Sequence, residues 1–169
     1  RRRCVAFTRS LLNEDLLHLL RSLQCVRSLV LNSQVWPSPA ADEATLGVLR
    51  TCAASLRDLE LGWEQQNPQT AVAIFSSSNN LRSLSLICYV KLPELKPLVQ
   101  LQKLNMHASS DCAAAVLKAC PNLTELSVSA SALAHWDVQE VLPPRLRVLT
   151  VHNRKSTASF ALASVAGLA

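Results

Sequence analysis

The sequence is poor in glycine and in aromatic residues. Its 169 residues include three Gly, three Trp, three Phe and one Tyr. So little glycine disfavours a phosphate-binding loop fold and a β-protein with many tight turns, because both need positive φ angles repeatedly. Hydrophobic residues make up 49% of the chain, so the core must consist mainly of Leu, Val and Ala. This composition favours thin, regularly layered packing over a bulky aromatic centre.

Long apolar segments are also lacking. No apolar run approaches the roughly 20 residues that a membrane span requires. The chain begins with Arg1-Arg2-Arg3, without an initiator Met or the apolar core of a signal peptide. We therefore expect no membrane interaction, and we expect the chain to be a fragment of a longer protein.

The formal charge of +5 is spread unevenly along the sequence. Cations concentrate in the first three residues and between Arg145 and Lys155, whereas the stretch from Asp42 to Glu64 is net acidic. Nucleic-acid-binding proteins usually gather their cations on one face, with aromatic or polar readers between them. The alternating signs here predict no nucleic-acid partner.

The cysteines form no C-x-x-C pair and no zinc-finger spacing with His. They are Cys4, Cys25, Cys52, Cys88, Cys112 and Cys120. Dense disulfide frameworks occur mainly in domains too small to build a core, and this chain is larger. We expect buried, reduced thiols and a cytoplasmic or nuclear location; a disulfide set in a secreted chain is the alternative.

Motifs for catalysis are missing as well. The chain has no G-x-S-x-G, no glycine-rich phosphate loop and no H-E-x-x-H, so we expect no enzyme activity and no cofactor. His107 and His152 are interpreted as solvated surface residues, since a metal pair would need further ligands.

The sequence contains six copies of one repeated phrase, L-x-x-L-x-L. The copies start at Val26, Leu56, Leu81, Leu101, Leu123 and Leu146, and Val5 and Phe7 fit a truncated first copy. Successive copies are separated by 20 to 30 residues, near the range of leucine-rich repeats. The longest insert surrounds Trp36 and predicts a projecting loop.

The alternation of residues in the phrase is explained by the geometry of a β-strand. Alternation places Leu29 and Leu31 on one face of a strand and Ser28, Val30 and Asn32 on the other. A lone strand cannot bury its apolar face, so the copies must stack as a parallel sheet with return segments packed behind it. The predicted fold is α/β: a curved leucine-rich-repeat solenoid of six to seven units forming one domain over residues 1–169.

Most return segments carry helix-start residues that can cap free N–H groups. The predicted caps are Asn13, Asp42, Thr70 and Asp111. Leu92 to Leu98 includes two prolines, which remove backbone donors, so an irregular or 3₁₀ return is expected there. Three residues after the last strand Leu, where repeats of this class usually place Asn or Cys, the sequence has residues such as Tyr89 and Ser109. We expect Ser hydroxyls or water to bond these turns instead.

Two phrases extend the pattern backwards into the preceding helix. These are Val48 to Leu61, which contains Thr51-Cys52-Ala53, and Val116 to Leu126, which contains Cys120-Pro121-Asn122-Leu123. They resemble the repeat region of F-box proteins with leucine-rich repeats, a ribonuclease-inhibitor-like solenoid, in which a helix ends at a Cys and a strand follows at once. The resemblance covers residues 4–155.

This resemblance implies a protein-interaction module, the substrate-recognition repeats of a ubiquitin-ligase receptor. In that family the F-box docks the adaptor of a cullin-RING ligase while the repeats hold the substrate. The segment from Leu11 to Leu20 has a similar helical Leu pattern but runs directly into a repeat strand, so the F-box would lie upstream. The alternatives are a recognition array of an immune or cell-surface receptor, or a structural scaffold.

Solenoids place binding on the concave sheet face, which here corresponds to the outward strand positions. The candidate partner-binding residues are Asp58, Glu60, Trp63, Ser83, Ser85, Ile87, Lys103, Asn105, His107, Glu125, Ser127, Thr150 and His152. Asp58 and Glu60 are expected to act as one electrostatic handle and Lys103 as a second, separate one.

The three tryptophans are interpreted differently. Trp63 is a candidate rim anchor for a partner, whereas Trp36 and Trp136 are expected to pack in the interior. Asn122-Leu123-Thr124 matches a glycosylation sequon, but the same residues are explained as the turn into a strand.

Overall fold

A computed structural model describes residues 4–8, 26–32, 46–47, 49–52, 54–65, 68–76, 79–133, 142–153 and 156–161. It contains an eight-stranded sheet ordered β1 to β8 along the chain. The strands are β1 (Cys4–Thr8), β2 (Ser28–Asn32), β3 (Asp58–Gln65), β4 (Ser83–Cys88), β5 (Lys103–Ala108), β6 (Glu125–Ser129), β7 (Val148–Asn153) and β8 (Ser156–Ala161). The sheet is open, with β1 and β8 at its two ends, and is not closed into a barrel.

Strands β1 to β7 are parallel and stay nearly in register. Leu29 lies opposite Leu59, Leu59 lies opposite Leu84, and Leu84 lies opposite Leu104. The truncated first copy is confirmed as a strand, because Val5 pairs with Leu29. The repeated phrase therefore predicted the position and direction of all seven parallel strands.

Two features of the sheet depart from the sequence prediction. Strand β8 pairs antiparallel with β7, with Ser156 opposite Asn153. No copy of the repeated phrase predicts this strand. In β3 the register shifts, so that Glu64 rather than Gly62 lies opposite Ile87. The even spacing assumed for the outward positions of β3 was wrong beyond Glu60, because an irregularity adds residues there.

The return segments lie behind the sheet. They include α1 (Pro68–Ser76), α2 (Ser110–Lys118) and the short α3 (Ala130–Leu133). Residues 46–47 and 49–52 are also helical. The helix predicted to be capped by Thr70 starts earlier, at Pro68, because proline suits the first turn, where no N–H bond is needed.

The prediction of an irregular return at Leu92 to Leu98 is confirmed, since residues 91–98 form neither helix nor strand. Leu92, Leu95 and Leu98 are nevertheless buried at every third position. The Leu98 N–H donates to the Ala119 carbonyl at 2.6 Å, which ties this return to its neighbour.

The core lies between the sheet and the returns. The strand leucines Leu29, Leu59, Leu84, Leu104 and Leu126 are each at most 2% exposed. Phe75, Cys112 and Val116 cover them from α1 and α2. Among the described residues, no helix combines the length and the apolar composition needed to cross a membrane.

Candidate functional site

The outward residues of the strands form a second, polar face on the side of the sheet away from the core. Burial alternates along β4, β5 and β6, with each Leu, Met or Val buried and each residue between them partly or fully exposed. We call the outward residues of β2–β7 the polar face.

The centre of the polar face is a shallow hollow of about 240 Å³. It brings together seven of the predicted binding residues, namely Ser83, Ser85, Lys103, Asn105, Glu125, Ser127 and Thr150. Asp58 and Glu60 adjoin it, because they pair in register with Ser83 and Ser85. The four other lining residues are Leu84, Leu104 and Leu126, which are buried strand residues, and Val148, an outward residue that is 37% exposed and was not among the predicted binding residues.

Lys103 is not an isolated cation. Its Nζ lies 2.8 Å from Oε1 of Glu125 on the adjacent strand, with the two side chains 57% and 45% exposed. The prediction of Lys103 as a separate electrostatic handle was wrong, because strand register places Glu125 directly opposite. Asp58 and Glu60, both exposed, carry the net charge of the polar face in this region.

Small polar groups fill the space between these charges. Asn105 Nδ2 donates to Ser85 Oγ at 3.2 Å, so a hydrogen bond joins β4 and β5 across the face. Such a surface offers several hydrogen-bond donors and acceptors beside its aliphatic groups. Ile87 and Val148 supply the nearby aliphatic contacts, the first half-buried and the second exposed.

The two predicted surface histidines, His107 and His152, lie side by side on the polar face. Their ring centroids are 6.0 Å apart, and both side chains are half-buried. The Ser127 hydroxyl is hydrogen-bonded to Nε2 of His152. The prediction of two fully solvated histidines is thus corrected, since Ser127 on β6 bridges toward β7.

No metal centre is built from the described part of the chain. Within it, no group of three or more His, Cys, Asp and Glu side chains is arranged to hold a metal ion. His107 and His152 would therefore need ligands from elsewhere to bind one.

The structure describes the side chains of four cysteines, Cys52, Cys88, Cys112 and Cys120, and all four are buried and outside any disulfide. Burial raises the pKa of Cys52 and raises that of Cys120 to about 12. The pKa of Cys112 is also raised, first by its hydrogen bond with Cys88 and then by burial. Cys52, Cys112 and Cys120 therefore stay protonated at neutral pH, and neutral thiols are poor nucleophiles.

Turn residues that the sequence left ambiguous have structural partners. The Asn122 side chain donates to the Val99 carbonyl at 2.9 Å, and the Thr124 hydroxyl donates to the Gln102 carbonyl at 3.0 Å. Both polar side chains of the sequon therefore hold the turn into β6, as the structural interpretation expects.

The Ser109 hydroxyl forms hydrogen bonds with backbone groups at the turn, as expected from the sequence. Its Oγ donates to the Tyr89 carbonyl at 3.2 Å and accepts the Cys112 N–H at 3.4 Å. Ser109 is therefore the N-cap of α2, and the prediction of Asp111 was wrong by two residues. Asp111 lies in the first turn, where a negative charge favours the helix dipole.

Several predicted residues lie outside the described part of the structure. Asn13, Asp42, Trp36 and Trp136 fall wholly outside it, as do the side chains of Cys4 and Cys25. Trp63 belongs to β3, within the irregular stretch, but its side chain is not described.

Comparison with protein-family models, curated proteins and solved structures finds no match to this chain.

Proposed function

We propose that the chain is a leucine-rich-repeat solenoid that holds a protein partner on the polar face, which is the concave face of such a fold. The observation that carries this proposal is the in-register stack of parallel strands with one apolar and one polar side. An array of this kind presents a broad surface of outward side chains, and repeat solenoids bind on that surface.

The charge of the polar face defines the partner's chemistry. Lys103 and Glu125 neutralise each other, which leaves Asp58 and Glu60 as the unbalanced charges among the side chains that the structure describes on this face. A partner that presents Lys or Arg toward β3, and polar groups toward β4–β6, complements this surface. Val148 and Ile87 add aliphatic contact beside the polar centre.

We further propose that these repeats are the substrate-recognition part of an F-box-type ubiquitin-ligase receptor in the cytoplasm or nucleus. The helix-to-strand phrases from Val48 to Leu61 and from Val116 to Leu126, which contain Cys52 and Cys120, support this family. Four buried cysteines that form no disulfide are in keeping with a reducing compartment. On this proposal the chain itself captures the substrate, and an upstream F-box contacts the ligase adaptor.

The test uses charge reversal on and off the polar face. Glu60→Lys should weaken capture of the partner, chiefly by slowing association, and adding Asp58→Lys should weaken it further. Glu94→Lys is the matched control, because Glu94 is equally exposed but lies in the irregular return behind the sheet.

The measurement is a quantitative pulldown with mass spectrometry, followed by association kinetics with the captured protein. Circular dichroism checks that each variant keeps its fold. If Glu60→Lys and Glu94→Lys reduce capture equally, or neither does, the polar face is not the binding surface.

A further inference from the structure

A second charged surface lies at the edge of the sheet where the parallel strands begin. In four of the six repeat copies an Arg follows the first buried apolar residue, as Arg27, Arg57, Arg82 and Arg147. The preceding residue is buried in each copy, whereas the Arg is half-buried or exposed. The repeat thus brings arginines to the same place on successive strands.

The backbone fixes these arginines in a ladder. The Arg27 carbonyl accepts the Arg57 N–H at 2.8 Å, and the Arg57 carbonyl accepts the Arg82 N–H at 2.7 Å. Neighbouring strands lie about 4.8 Å apart, so three arginine Cα atoms follow one another at roughly that spacing. We call Arg27, Arg57 and Arg82 the arginine edge.

The three side chains line one hollow of about 440 Å³ together with Ser55. Arg57, in the middle, is held by its Nη1 donating to the Asn80 carbonyl at 3.0 Å. The hollow is lined by no carboxylate, and none of the three arginines forms an ion pair with another described residue. The arginine edge therefore concentrates positive charge that the described residues do not neutralise.

The same edge continues past β5 toward β7. A second hollow of about 770 Å³ is lined by Arg145 and Arg147, again without a carboxylate. Gln102 and Thr124 occupy the same repeat position on the two strands in between, and both line this second hollow. The positive surface is thus extended along the edge rather than confined to one strand.

We propose that the arginine edge binds an acidic segment of a protein partner, rich in Asp or Glu. Three guanidinium groups within about a Debye length of one another repel, and carboxylates laid across them relieve that repulsion. Arg presents a planar fork that matches a carboxylate with two parallel hydrogen bonds. Arginine clusters are a recurring means of recognising acidic motifs.

The absence of stacking platforms favours a protein segment over a nucleic acid. Proteins that bind single-stranded nucleic acid place aromatic rings between their cations. None of the residues lining the two hollows is aromatic. The exposed Tyr89 follows β4, at the opposite edge, where the strands end.

Fluorescence anisotropy with the full chain tests the proposal. The probe is a labelled peptide of alternating Glu and Gly, compared with the uncharged peptide of alternating Gln and Gly. The Glu peptide should bind with an affinity that falls as salt is raised, because screening weakens exposed charge pairs. The Gln peptide should not bind detectably.

The double variant Arg27→Gln/Arg82→Gln should weaken binding of the Glu peptide by at least about tenfold, since charge-assisted hydrogen bonds are lost at two positions. Lys91→Gln/Lys118→Gln is the matched control. It removes the same charge from exposed positions that line neither hollow and should change affinity by less than roughly twofold, as expected of solvent-screened charges outside the site.

Arg27→Lys/Arg82→Lys keeps the charge and removes the planar fork, so it should fall between the wild type and the Gln double variant. Thermal melting confirms that each variant is folded. Equal loss in the two Gln double variants would overturn the proposal, because net charge alone would then explain binding. So would failure of the Glu peptide to bind at low salt, or tighter binding of a labelled oligothymidylate.

Discussion

Lys103 and Glu125 face each other across adjacent parallel strands, with Nζ 2.8 Å from Oε1. Each side chain is about half exposed on the polar face, and each residue is flanked by a buried Leu that fixes its strand position. The pair cancels two charges at the centre of the polar face and leaves Asp58 and Glu60 to define its sign. Its contribution to stability is a separate quantity and can be measured.

We predict a small coupling energy between these two residues. A double-mutant cycle with Lys103→Met and Glu125→Gln should give less than about 1 kcal/mol, because both side chains are about half exposed and solvent screens their attraction. The value should decrease further at high salt. Denaturant unfolding of the four proteins measures it; a coupling above about 2 kcal/mol would indicate a desolvated pair instead.

Truncating a strand leucine should be far more costly. Leu84 and Leu126 are each 1% exposed, so Leu84→Ala or Leu126→Ala should lower the free energy of unfolding by about 2–5 kcal/mol. Val99→Ala is the control, because Val99 is 49% exposed and its loss should cost under about 0.5 kcal/mol. Leucine variants that melt like the Val99 variant would contradict the stacked core.

The cap of α2 gives a third prediction. Ser109→Ala removes the acceptor for the Cys112 N–H and should cost about 1 kcal/mol. Ser109→Thr keeps the hydroxyl and should retain most of that stability. Thermal melting compares the two variants, and equal stability of Ala and Thr at this position would show that Ser109 does not cap the helix.

Alkaline pH should destabilise the fold through Cys120. Its pKa is raised to about 12 by burial, above the ordinary value of 9.0 that the unfolded chain has. The unfolded state therefore loses this proton first, and the stabilising contribution, complete below pH 9, declines as pH rises toward 12. The slope from one such thiol is at most about 1.4 kcal/mol per pH unit.

Denaturant unfolding at several pH values measures this decline. Cys120→Ala should be less stable at neutral pH, because it leaves a cavity, but it should show a shallower loss above pH 9 than the wild type. Parallel curves for the two proteins would mean that Cys120 already ionises in the folded state near its ordinary pKa.

The sequence was sufficient for the sheet wherever the repeat is regular. Leu84 and Leu86 alternate with Ser83, Ser85 and Ile87, and the structure buries the first two as expected. A period of two can place only one face against a core, so sequence alone separates inward from outward residues. The irregular return was predicted equally well, because proline excludes regular hydrogen bonding at Pro93 and Pro97.

Helix starts were predicted less well, because several residues near each start can serve as caps. Asp111 and Ser109 are both acceptable N-cap residues, and the sequence favoured the wrong one. Ser109 caps α2 because its hydroxyl also reaches the Tyr89 carbonyl, a contact between neighbouring repeats. Local propensity contains no information about that second partner.

The sequence by itself determined the repeating phrase, the inward leucines and the set of outward positions from which a binding surface would be built. These follow from the side-chain period of a strand, which is a local property. Only the tertiary structure decided that Lys103 is paired, that β3 shifts its register after Glu60, and that Arg27, Arg57 and Arg82 line one hollow. Each of these depends on which residues of different repeats become neighbours, and hydrogen bonds between strands fix that alignment.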